Sequence, residues 1–495
     1  MIRKIIFLII SITSFSVFAQ ENYNSEAFRV TLGDIAAKTF TKDSTANAIV
    51  IYESGNSYVS QNDYKLKTEV KCKIKILKSE GLEKATVKIY LYNNKNSAER
   101  VKDINATTYN LVKGSKDVTK TKLDKNNIYK EKYNNNYTIV KFTLPNAKVG
   151  SVITYSYETS SQFMFNYKSW YFQDDIPKLY SEYKTSIPGN WQYNVKLVGY
   201  KPLDINTSDV KPNCLEGARG AYSGCSINHY AMKDIPAFIE EDYMTNKTNY
   251  VARIEYELKS FEGFDGVKNN YTKTWESVDD ELRADPSIGK QLSKSVKSKE
   301  FLSESIINEV DNLKKAEGIY KYVQDNYTWN DEYKIFKDVS VKDLIKNKSG
   351  NVSAINILLH NMLIENGIEA QPILLSTRSN GFPTKIFPVI SEFNYLIVQV
   401  TINEKIYILD ATDQYLSFGT IPFRCLNQYG RLLDFKNGSK WVDLEANSTS
   451  NILYNVNVDI EDDVFIASIK SKVTGYHALN LKKNISLIKE VILRN

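Results

Sequence analysis

From about residue 26 to about residue 260, apolar and polar side chains alternate with a period of two. That pattern suits strands with one buried and one solvated face, and it rules out a helical array over this stretch. Val87-Lys-Ile89-Tyr-Leu91, Val140-Lys-Phe142-Thr-Leu144, Ser151 to Tyr157 and Val195-Lys-Leu197 all follow it, and Asn-rich clusters near Asn94 and Asn134 separate them as turns. The expected architecture is an antiparallel β-sandwich-like domain. Cys72 falls on the apolar face of one such strand, Val70 to Ile76. The 34 Tyr suit pleated surfaces, and carbohydrate or peptide contact is a second use for them.

The period changes after residue 275. Leu313 to Val323 is amphipathic at helical spacing, and Val352 to Glu365 carries Ile355, Leu358, Leu359, Met362 and Leu363, with Gly367 as a stop signal. Strands then return at Pro372 to Leu375, Tyr395 to Val400 and Lys405 to Leu409. This order predicts an α+β domain over 266–445, after a β domain over 20–265. Residues 446–495 resume alternation at Val456 to Val458 and Val464 to Ile469, and read as an incomplete C-terminal β segment. At 495 residues, roughly three domains of ~150 residues are expected. A hydrophobic fraction of 42% supports real cores. Lys and Arg number 64 against 58 Asp and Glu, a balance that does not suit a nucleic-acid binder.

Residues 1–19 read as a secretory signal peptide, with basic Arg3 and Lys4, an apolar run from Ile5 to Ile10, and Val17-Phe18-Ala19 as a cleavage site that leaves Gln20 first. The expected location is therefore periplasmic or extracellular, with no integral membrane span once the signal is removed. An oxidising compartment permits a disulfide, and Cys214 and Cys225 bracket a short Gly-rich segment that a bridge would close. Cys72 and Cys425 read as isolated and buried. His229, His360 and His477 have no metal-ligand spacing, so neither a metal nor a cofactor is expected. Glu240-Glu241-Asp242 reads as a solvated acidic turn in preference to a cation site. The Gly-rich residues 217–224 lack the Lys of a phosphate loop.

One ordered set of elements remains: Ser349-Gly350-Asn351-Val352 opening a helix, then Pro372 to Arg378, Phe393-Asn394-Tyr395, and Tyr407-Ile-Leu-Asp410-Ala-Thr412. It resembles the transglutaminase-like domain of secreted Bacteroidetes-type proteins. Upstream, Thr107-Thr-Tyr109, Pro145 to Ile153, Trp170 to Gln173, and Ile235-Pro236 resemble its partner domain DUF3857. Tyr327-Thr-Trp329 and Ile421-Pro-Phe-Arg-Cys425 also fit the pairing. The resemblance implies a papain-like α+β fold with a triad of Cys at a helix N-terminus, His at a strand start and Asp at the end of the next strand.

Here Val352 stands at the nucleophile position, Tyr395 at the base position, and only Asp410 matches. Valine has no nucleophilic atom, and a phenol is a poor base at neutral pH. Ser353 is turned ~100° around the helix, and His360 lies ~12 Å along it. The resemblance also implies a groove near Trp329, Asn356 and Arg378. Each has a plainer role, as core, helix-packing polar group and solvated strand-end charge respectively. No catalytic residue is therefore assigned. The function expected is an exported, non-catalytic protein that binds a peptide, a glycan or a partner protein. The alternative is a cysteine protease or acyl-transfer enzyme using relocated residues.

Overall fold

The computed structural model describes residues 28–446, 449–462 and 464–494; the signal-peptide segment lies outside them. The chain is mixed α+β and divides into two units. The first holds the residues up to Glu240 together with Tyr250–Tyr271. The second holds Glu241–Asn249 together with the residues from Thr272 on. The sequence boundary at 265/266 falls close to the last crossing, but nothing in the sequence marked the short excursion 241–249. Asn246 donates its amide to the carbonyl of Arg378 (2.8 Å), and Asn249 Oδ1 accepts from the amide of Phe382 (2.7 Å), so this segment is tied to the second unit.

The first unit is built on an eight-stranded sheet that runs, in spatial order, 205–216, 222–235, 178–188, 48–59, 66–76, 152–161, 100–111 and 118–122. Its strands are antiparallel except for the parallel pair Ala48–Val59 and Lys178–Pro188. Two smaller sheets supply the packing partners that make it sandwich-like. Cys72, Ile74 and Ile76 share one core with Ile89, Leu91, Val140 and Phe142 of a three-stranded sheet. Tyr183 and Met232 share another with Trp170, Ile254 and Tyr256 of a four-stranded one. The Trp170 ring lies flat on Tyr183 at 5.2 Å, and a Cβ on Gly55 would come within 2.4 Å of it, which is why no larger residue fits there. Cys214 and Cys225 are bridged, with Cα atoms 5.7 Å apart, across the hairpin of the first two strands in that order.

The alternating strand Leu66–Ile76 departs from the one-wet-face expectation. Lys73 and Lys75, on the side opposite Cys72, are fully buried. Residues from the short helix Leu32–Ala36 and its flanks satisfy them. Lys73 Nζ meets Asp34 Oδ2 at 3.1 Å and the Arg29 carbonyl at 3.2 Å. Lys75 Nζ donates to the carbonyls of Ile35 (2.5 Å) and Gly150 (2.6 Å). Burial pushes the Lys75 ammonium down to about 8.

The second unit wraps helices around the Val352–Glu365 helix, whose residues are buried without a break from Val352 to Leu363. A helix apolar all round must be central. It packs on Asn312–Asn326 and on a five-stranded antiparallel sheet ordered 405–409, 395–402, 369–375, 428–432, 440–444. Its start is fixed by Asn351, whose side chain accepts from the amide of Ala354 and donates to the Asp338 carbonyl. At its other end Glu365 accepts from Ser295 Oγ and from the amides of Val296, Lys297 and Ser298. Despite the opposing effect of partial burial, these donors hold its carboxyl down at about 2. Beyond the sheet, a two-stranded hairpin, Ile452–Glu461 with Val464–Val473, is followed by the helix Gly475–Arg494. The sequence reading gave only β structure for 446–495. The helix is a correction: the alternation ends at Val473, and Leu481 and Ile485 recur at helical spacing.

Candidate functional site

The site forms where the start of one strand meets the end of the next. Tyr395 opens the strand Tyr395–Ile402, which pairs antiparallel with Lys405–Leu409 and so brings Asp410 back beside Tyr395. The Tyr395 hydroxyl donates to Asp410 Oδ2 at 2.7 Å. The same oxygen accepts from Arg424 Nη2 (2.8 Å) and Nε (3.1 Å) and lies 3.0 Å from Thr412 Oγ1. Arg424 Nη2 also reaches Thr412 Oγ1 at 2.7 Å. Asp410 Oδ1 accepts from the amide of Thr412 (2.9 Å) and from Asn356 Nδ2 (3.1 Å). Asp410 and Tyr395 are both fully buried. Burial and the adjacent Asp410 charge hold the phenol well above its ordinary range, so it stays protonated.

Val352 takes the first helical position, fully buried, with its amide on the Glu332 carbonyl at 3.2 Å. It belongs to the same core as Tyr395. Cys425, Ser353 and His360, the other groups with catalytic potential, are all buried. Cys425 is completely buried, and burial followed by Asp410 raises its thiol well above the usual value. Ser353 Oγ is buried without a hydrogen-bond partner, so no base reaches it. His360 faces Asn361 at 2.8 Å, and burial lowers its pKa. Glu240, Glu241 and Asp242 are all exposed, and no cluster of metal-ligating groups occurs among the described residues.

Beside this network lies a cavity of about 530 Å³, lined by Gln324, Tyr327, Thr328, Trp329, Asp331, Thr412 to Tyr415, Arg424 and Lys483. Of the three groove residues expected from sequence, only Trp329 lines it. The Arg424 guanidinium sits over the Trp329 ring at 4.6 Å. Asn356 is a correction. It is fully buried, bonded to the Leu396 carbonyl (2.8 Å), to Asp410, and to the Ala411 amide (2.9 Å), and is inaccessible to any ligand. Arg378 is another. It donates to the carbonyls of Leu426 (2.9 Å) and Tyr243 and packs on the Phe423 ring at 4.4 Å, which makes it a tether for two loops. Asn356 thus takes the packing role that was its plainer reading, whereas the Arg378 tether is not visible locally, because its partners lie tens of residues away. Arg424 and Lys483 were missed for the same reason. The signal for Arg424 was its place between Pro422 and Cys425 in a segment already tied to the site by resemblance.

Residues 62–213 match DUF3857, a domain of unknown function with a solved structure, and residues 300–408 match the transglutaminase-like superfamily. The second domain is transglutaminase-like. The matched stretch of the transglutaminase-like domain holds Trp329, Val352 and Tyr395, and ends just short of Asp410 and Arg424. Among the 28 solved chains that match are two whose descriptions name a protease. One is described as a "putative protease" from Parabacteroides distasonis, at 14% identity and TM-score 0.43, covering 80% of this chain and 72% of that one. The other is described as a "putative cysteine protease" from Cytophaga hutchinsonii, at 10% identity and TM-score 0.17, covering 83% and 92%. Comparison with curated proteins gave no match.

Proposed function

We propose that the protein is an exported, non-catalytic transglutaminase-like protein whose cavity beside Tyr395 holds a peptide, a glycan or a partner protein. The observation that carries this reading is the Tyr395–Asp410–Arg424 network. At the base position stands a phenol that gives its only proton to Asp410 and takes two hydrogen bonds from a guanidinium. Val352 at the helix start offers no nucleophile. Acyl transfer needs a nucleophile and a base within hydrogen-bond reach of each other, and the buried Cys425 and Ser353 do not supply such a pair. Unmodified protein is expected to give no turnover of glutaminyl or peptide substrates. Val352→Cys with Tyr395→His is expected to introduce weak activity, and either change alone none, because triad members act as a unit. Robust turnover by the unmodified protein, abolished by Ser353→Ala or Cys425→Ala, would sink the reading and favour a relocated nucleophile.

Export is part of the same proposal. Its support is the signal-like residues 1–19 and a cysteine pair placed to form a bridge in an oxidising compartment. Mass measurement of protein from its native host is expected to find Gln20 or its cyclised form at the N-terminus. Recovery with Met1 intact would count against export.

A further inference from the structure

Resting on the non-catalytic reading, we infer that Arg424 anchors the free α-carboxylate of a peptide whose last residues lie extended against Thr328 and Trp329. The first observation is how the guanidinium is held. Its Nε and Nη2 are spent on the neutral oxygens of Tyr395 and Thr412, and its plane rests on Trp329. Nη1 has no hydrogen-bond partner among the described residues, and the side chain, 24% exposed, lines the cavity. The nearest carboxylate, Asp410, stays 3.8 Å from Nη2 and is engaged by Tyr395, Asn356 and the Thr412 amide.

Arg431 in the same domain shows the contrast. Its Nε reaches Asp279 Oδ1 at 3.3 Å and its Nη2 reaches Oδ2 at 2.8 Å, the two-nitrogen fork a structural arginine adopts with a partner inside the protein. Arg424 also sits over an aromatic ring, but its carboxylate neighbour Asp410 comes no nearer than 3.8 Å and forms no such fork. A fixed guanidinium whose Nη1 is unused at a cavity wall can give a charge-assisted hydrogen bond to one carboxylate oxygen.

The second observation is the strand Thr328–Trp329. It pairs with Ser349–Gly350 along one edge and has no strand on its other edge among the described residues. The Thr328 and Asn330 amides are used on Lys348 and Gly350, so Trp329 turns its own N–H and C=O to the other side, the pair of groups that an extended peptide can meet. The charges on the remaining wall add no second site for an anion. Lys483 is paired with Asp413, and Asp331 opposes a second negative charge.

The test uses the full-length protein and a randomised N-acetyl tripeptide pool, titrated once as free acid and once as C-terminal amide. Binding is followed through the Trp329 indole ¹⁵N–¹H signal, assigned with Trp329→Phe. The free acid is expected to bind about tenfold or more tighter than the amide, the size of a charge-assisted pair. Arg424→Gln should erase that difference, and Arg424→Lys should restore only part of it. The comparison of acid with amide is read first on unsubstituted protein, so it does not depend on any variant folding. Equal binding of acid and amide, no binding of either, or a preference that survives in a folded Arg424→Gln protein would overturn the inference and leave the non-catalytic reading standing. Glucuronate binding as tightly as the free-acid pool would overturn the peptide assignment. Cleavage or transamidation of the pool would overturn the non-catalytic reading itself.

Discussion

Replacing Lys73 with Met is expected to lower the stability of the first unit by about 3–5 kcal/mol, because it removes one member of a fully buried ion pair, the ammonium that meets Asp34 Oδ2 at 3.1 Å. Both side chains are fully buried. Asp34 also accepts from the Thr31 amide in the capping box of Leu32–Ala36, so the loss of the ammonium is felt at the helix start as well as on the sheet face. Pairing the change with Asp34→Asn should recover most of the loss. Removing one member of a buried pair costs more than replacing both, so the two changes are not additive. Denaturant unfolding of the two single variants and the double variant measures this. A single-variant loss below about 1 kcal/mol, the range of an exposed pair, would mean that water reaches the ammonium.

The second large effect is expected at Asn356. One amide side chain joins three elements: it donates to the Leu396 carbonyl and Asp410 Oδ1, and accepts from the Ala411 amide. Asn356→Leu keeps the volume and removes all three bonds, leaving buried polar groups whose desolvation is no longer compensated, each worth about 1–3 kcal/mol. A loss of about 3 kcal/mol or more is the expected result in denaturant unfolding, together with loss of the Tyr395–Asp410 geometry. If the variant melts like the parent, the network does not hold the strand ends in register.

The contrast between these two residues shows what the sequence could convey. The helix Val352–Glu365 is legible to its first residue because Asn351, an apolar run and Gly367 are local signals. The strands Tyr395–Ile402 and Lys405–Leu409 are legible because their residues are apolar almost throughout or follow a short alternation between turn residues. Lys73 was misplaced because alternation assigns a face but does not say what lies on it. The cover comes from residues 28–46, which carry no mark of their destination. At the site, the places of Val352 at a helix start and Tyr395 at a strand start could be read from the order of elements. The partnership of Arg424 with Tyr395, Thr412 and Trp329 could not, since it joins segments from 329 to 424 through side-chain geometry alone.

The excursion of Glu241–Asn249 has a practical meaning for anyone who wishes to separate the halves. The backbone passes from one unit to the other three times, after residues 240, 249 and 271, so no single cut yields two whole pieces. A fragment starting at Thr272 would lack the Tyr243 carbonyl that receives Arg378 and the Asn249 side chain that receives the Phe382 amide. Recombination between relatives at one crossover near 271 meets the same obstacle. The nine-residue stretch and its docking partners 378–382 would come from different parents, and only pairs already compatible there would fold.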